Sequence, residues 1–167
     1  MGSVQPRLHF PTRLVVCLQE ENTGRPVANV ALTVTLFATK KNDYHLGPPL
    51  SDSSGRVVID RSWVEASIQE NRNFFLMDYS STMDQCLPCI AVKVMSVDDI
   101  ENAVAAMRLY GEATANSLGV AHTLSELLNA SNRQYEPQEV EVCLDTPGES
   151  TREITLSLRR RRSACLS

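Results

Sequence analysis

Apolar and polar positions alternate most clearly at residues 30–37, where Val30, Leu32, Val34 and Leu36 interleave with Ala31, Thr33, Thr35 and Phe37. A period of two sets the four large aliphatics on one face of a strand. The same reasoning predicts strands at Arg13–Gln19 (Leu14, Val15, Val16, Leu18), Arg56–Asp60, Ile90–Met95, Val140–Leu144 and Glu153–Leu158. The aromatic run Phe74–Tyr79 adds a seventh. Between the first two strands, Asn22-Thr23-Gly24-Arg25-Pro26 spells a turn. Thr39–Gly55 reads as polar and turn-rich, Ser80–Pro88 as a loop, and Asp145–Glu149 as a turn between the last two strands.

The period changes after residue 95. Val97, Ile100, Val104 and Met107 recur at spacings of three and four, behind Ser96 as a capping residue and Asp98 and Asp99 in the first turn. Acids there suit the helix dipole. Capping-box spacings at Ser62–Glu65 and Thr123–Glu126 predict two shorter helices, so the helices fall near 63–70, 98–110 and 123–130. Strands and helices do not alternate regularly, which argues against a doubly wound sheet. The expectation is a mainly β, seven-stranded sandwich of prealbumin-like or immunoglobulin-like type with helical insertions; the alternative is an α+β layered fold. It divides the chain into an N-terminal arm at 1–12, one β-rich domain at 13–158 and a basic C-terminal tail at 159–167. That accords with 167 residues, enough for one self-sufficient core.

Two stretches resemble carboxypeptidase-regulatory-like domains, which are prealbumin-like β-sandwiches. Thr23-Gly24-Arg25-Pro26-Val27-Ala28-Asn29-Val30-Ala31-Leu32-Thr33-Val34 is similar to their opening turn and first alternating strand. Ser51-Asp52-Ser53-Ser54-Gly55-Arg56-Val57-Val58-Ile59 is similar to their second signature, an Asp-x-x-Gly turn entering a short strand. The resemblance covers about 40 residues within 13–60. It implies a noncatalytic structural or recognition module. The chain departs from the family between Trp63 and Gln138, where the helices fall. The enzymatic relatives of this fold that hydrolyse 5-hydroxyisourate carry a C-terminal Tyr-Arg-Gly-Ser, and this sequence has no such tetrapeptide.

Charge changes the picture in one respect. The chain carries 16 Lys+Arg against 20 Asp+Glu, but Arg159, Arg160, Arg161 and Arg162 supply four of the bases, so 12 face 20 elsewhere. An acidic body repels a phosphate backbone, which excludes general nucleic-acid binding. The arginine run itself has three readings: a solvated tail, the end of a strand meeting an acidic neighbour, or a stub that binds a partner. No apolar run approaches the ~18 residues that span a bilayer. The first residues show no basic and then apolar leader pattern, and the five cysteines are odd in number, so a cytoplasmic chain with reduced thiols is expected.

Candidate chemistry centres on Cys86-Leu87-Pro88-Cys89. A redox C-x-x-C needs its first thiol at a helix N-terminus, whereas this pair precedes a strand. A zinc site needs two further ligands, for which Cys17, Cys143, His45 and His122 are the candidates. Loop thiols or an incidental disulfide are the plainer reading. The histidines His9, His45 and His122 show no metal or hydrolase spacing, and there is no nucleophile elbow, Walker loop or dinucleotide fingerprint. No catalytic residue, metal or cofactor is therefore assigned. Asn129-Ala130-Ser131 is a glycosylation sequon, relevant only to an exported chain. The leading functional expectation is an interaction or structural module that binds another protein, by edge-strand pairing or self-association. The alternatives are a thiol-redox or zinc protein centred on Cys86 and Cys89, and a small hydrolase whose site is dispersed in sequence.

Overall fold

The computed structural model describes residues 13–39, 43–46, 48–70, 83, 84, 86–105, 108, 125–144 and 150–161. Among these residues it is mainly β, with seven strands in two sheets. In chain order the elements are β1 (Arg13–Glu20), β2 (Leu32–Ala38), β3 (Tyr44–Leu46), β4 (Arg56–Ile59), α1 (Arg61–Glu70), β5 (Cys86–Val94), a 3-10 turn at Ser131–Gln134, β6 (Gln138–Cys143) and β7 (Thr151–Leu158). Residues 97–105 and 125–128 are also helical. One sheet runs β4-β1-β7 and the other β3-β2-β5-β6.

Every strand pair is antiparallel except β1 with β7, which run parallel in register from Arg13↔Thr151 to Glu20↔Leu158. The bonds framing that ladder, Arg13 N–H to Ser150 O at 3.1 Å and Glu21 N–H to Leu158 O at 2.9 Å, fix its phase. In a parallel strand one residue turns both backbone groups to one side and the next turns both to the other. The even-numbered residues of β7 therefore bond to β1, and Thr151, Glu153, Thr155 and Ser157 turn theirs away. On β1 the phase is complementary, as Leu18 N–H bonding Gly55 O at 2.7 Å shows.

One core cluster draws on both sheets: Leu14, Val16, Leu18, Leu156 and Leu158 from the first, Leu32, Val34, Leu36, Ile90, Val92 and Val94 from the second. The four aliphatics of the alternating run, Val30, Leu32, Val34 and Leu36, are all fully buried. The helix α1 lays Val64 and Ile68, one turn apart, against this core. Its cap is Asp60, whose Oδ1 accepts from Trp63 N–H at 2.8 Å, rather than the Ser62 of the capping-box reading. Glu65 ion-pairs with Arg61 at 2.8 Å instead. Ser96 and Asp99 do cap reciprocally: Ser96 Oγ accepts from Asp99 N–H at 3.1 Å and Asp99 Oδ2 from Ser96 N–H at 3.2 Å.

A second cluster, Ala31, Met95, Ile100, Val104, Leu127 and Ala130, joins the helical segments to one end of the β2–β5 pair. Asn132, 1% exposed, ties that end together. Its Oδ1 accepts from Ala31 N–H at 2.7 Å, and its Nδ2 donates to Ala31 O at 3.0 Å and Met95 O at 2.9 Å. The Asp-x-x-Gly turn is likewise structural. Asp52 Oδ1 accepts from Ser54 and Arg56 N–H, and Gly55 sits at φ +74. A Cβ at Gly55 would lie 2.5 Å from Leu18 O, so glycine is required there.

Three expectations change. The stretch Thr39–Gly55 contains the short strand β3. Ser80–Pro88 is not all loop, because β5 begins at Cys86. The helix expected at 123–130 is helical through residue 128 and no farther, while Thr123, the first residue of its capping box, and the strand expected at Phe74–Tyr79 lie outside the described residues.

Candidate functional site

The chemistry-bearing residues meet at two places, one at the start of β5 and one where β1 and β7 end. Pro88 has no N–H to give a ladder and so favours a bulge within a sheet. The β2–β5 pairing breaks here: Leu36 faces Ile90 and Ala38 faces Cys86, so Phe37 alone opposes Leu87, Pro88 and Cys89. On the other side of β5 the ladder to β6 holds, with Cys89 directly opposite Cys143 and Ile90 opposite Val142.

Side-chain phase then sorts the thiols. Ile90, Val92, Val94 and Val142 are buried in the core, so their neighbours Cys89 and Cys143 face outward. Their Sγ atoms are 2.6 Å apart. Cys86 sits in the core cluster instead, and burial pushes its thiol up to about 11, with Asp43 adding to the effect. A thiol so buried and so seldom ionised is a poor nucleophile. The Cys86–Cys89 candidate pair therefore divides, and its outward member meets a cysteine 54 residues away in sequence. That partner, Cys143, entered the sequence analysis only as a possible zinc ligand. The outward phase of Cys143 was legible from its predicted strand, but Cys89 fell before the strand predicted at Ile90–Met95, and the register that sets the two opposite one another had no sequence signal.

The remaining metal candidates do not converge on this pair. Cys17 lies on β1 of the other sheet, where burial and Glu153 raise its thiol. His45 on β3 meets Thr35 Oγ1 through Nδ1 at 3.0 Å on the exposed face of the second sheet. His9, His122 and Cys165 lie outside the described residues. Among the described residues no three His, Cys, Asp or Glu side chains gather as metal ligands.

The second place collects the basic run. Arg160 Nε reaches Glu20 Oε2 at 2.8 Å, and Arg159 Nε reaches Glu21 Oε2 at 3.1 Å. Tyr135 O–H donates to the same Glu20 oxygen at 3.3 Å. The guanidinium beside each glutamate holds its carboxyl below the usual 4.5. Arg161 is exposed, its N–H bonded to Gln134 O at 2.9 Å, and Arg162 lies outside the described residues. Beside this network runs an open groove of about 350 Å³ lined by Glu20, Asn22, Thr23, Arg25, Leu158 and Arg160. Two of the four candidate arginines thus already hold acids of their own chain, which weakens their pull on an acidic partner.

No family model matches the chain, and no curated protein matches it. Among solved structures it is similar to a 9R-lipoxygenase from Cyanothece PCC8801, at 13% identity and a TM-score of 0.40. That likeness covers 93% of this chain and 18% of the lipoxygenase, so the chain spans under a fifth of its length. It carries no argument about activity. No helix among the described residues is long and apolar enough to cross a membrane.

Proposed function

We propose that the chain is a noncatalytic interaction module, a prealbumin-like β-sandwich of the carboxypeptidase-regulatory-like kind, which holds another protein along the open edge of β7. The observation that carries this reading is the phase of that edge. Among the described residues β1 is the only strand beside β7, and Thr151, Glu153 and Thr155 turn their backbone groups away from it. Farther along, the edge is closed by this chain itself: Gln138 Nε2 donates to Ser157 O at 2.7 Å and Glu136 N–H to Arg159 O at 2.8 Å. What remains is a segment about five residues long that accepts an extended strand, flanked by the half-buried Ile154. The two sheets with a shared core support the sandwich, and the Asp52–Gly55 turn leading into β4 is in keeping with the family resemblance.

The test is Thr155→Pro. It deletes an outward N–H and leaves the β1 ladder its bonds. Proteins captured by the immobilised full chain, or its own association in sedimentation, should be lost in this variant while its thermal unfolding stays cooperative. Capture that persists in a folded Thr155→Pro chain overturns the reading, as does a wild-type chain that neither captures nor self-associates.

A further inference from the structure

We propose that Cys89 and Cys143 form a reversible modification site, a cross-strand dithiol that exchanges with low-molecular-weight disulfides of the glutathione type. The inference is independent of the β7 edge. Its basis is the ladder between β5 and β6. Leu144 N–H bonds Pro88 O at 2.7 Å, which joins the residue after Cys143 to the residue before Cys89. That pattern makes Cys89 and Cys143 a non-hydrogen-bonded antiparallel pair, the kind whose Cα atoms stand ~4.5 Å apart and whose side chains come closest. A disulfide spans Cα separations of about 4.4–6.8 Å, so the backbone need not move to admit one. The Sγ atoms already converge at 2.6 Å.

Access orders the steps. Cys143 is exposed and Cys89 half-buried, so the Cys143 thiolate attacks one sulfur of the glutathione disulfide. The S–S bond breaks, a mixed disulfide forms on Cys143, and one glutathione thiolate leaves. Cys89 then gives its proton to solvent and attacks the Cys143 sulfur, expelling the second glutathione thiolate. Two protein thiols are oxidised, one glutathione disulfide is reduced to two glutathiones, and reduced glutathione in excess drives both steps back. Cys86 takes no part because its sulfur is in the core.

The experiment equilibrates the full chain with glutathione buffers of increasing oxidised fraction, quenches with acid and reads intact mass and peptide linkage. The expected product lacks two hydrogens, carries a Cys89–Cys143 linkage and returns to dithiol in reduced glutathione. Cys86→Ser should leave that titration in place, and Cys89→Ser should stop it at a glutathione adduct on Cys143. Three results overturn the proposal: glutathione adducts without an internal bond in the wild type, a Cys86–Cys89 linkage, or thiols that stay reduced throughout. Thermal unfolding of each variant confirms that the chemistry is read on folded protein.

Discussion

β5 is held in opposite ways at its two ends. At Val94 and Met95 it is fastened by Asn132, which serves Ala31 and Met95 with three bonds in a site closed to water. At Cys86–Cys89 its ladder to β2 is interrupted, and beside the backbone bond from Leu144 to Pro88 its side-chain contact with β6 is a pair of outward sulfurs. A buried amide network is strong because its only alternative is unsatisfied polar groups. A pair of thiols adds little until it is oxidised, and then adds a covalent bond. One strand therefore carries a permanent fastening and a conditional one.

The largest effect should come from breaking the permanent end. Asn132→Ala leaves the Ala31 N–H and the Met95 carbonyl buried without partners, while the Ala31 carbonyl keeps its bond from Met95 N–H at 3.2 Å; the loss is about 4 kcal/mol. Urea unfolding should show it, and a change under about 1 kcal/mol would mean that water replaces the amide. The conditional end comes second. Oxidising Cys89 with Cys143 closes a loop of just over fifty residues and should raise stability by about 3 kcal/mol. In Cys89→Ser the oxidised and reduced midpoints should coincide, and coincidence in the wild type would remove the difference between the two ends. The smallest effect separates acid from redox. Lys93 Nζ, 2.8 Å from Asp99 Oδ2, and the Ser96 bonds hold the Asp99 carboxyl below its usual 3.8. A depressed carboxyl stabilises the fold above its unfolded value and loses that contribution as pH falls through its lower, folded value. Stability should therefore drop slightly below about pH 4 in the wild type, by less than ~1 kcal/mol for so exposed a pair. In Asp99→Asn that step should vanish, and the thiol end should show no counterpart to it.

The same contrast explains what could be read from the sequence. Phase within a strand is local, so the alternation at 30–37 gave the buried face of β2, and Ser96 announced the cap of the helical segment that follows β5. Short or interrupted elements were less legible. The three residues of β3 lie in a polar stretch, and Pro88 disguised the start of β5 as loop. The choice of Ser62 over Asp60 as cap turned on a shift of two residues, within what spacing alone resolves. Long-range register had no signal at all. Cys-x-x-C spacing brings two sulfurs together on a helix and divides them on a strand, where odd separations point to opposite faces. Asn132 carries no signal in the sequence, and only its burial reveals what it holds.

The parallel pairing of β1 with β7 has a consequence for the chain during synthesis. Arg13 must wait for Thr151, and at ribosomal rates of about 5–20 residues per second the delay is roughly 7–28 s. Through that interval β1 has β4 on one side and nothing on the other, with the backbone groups of Arg13, Val15, Cys17 and Gln19 open in a largely apolar strand. The nascent chain is therefore most prone to mispairing before its last strand emerges, and a chaperone that shields extended apolar segments would find its substrate in β1.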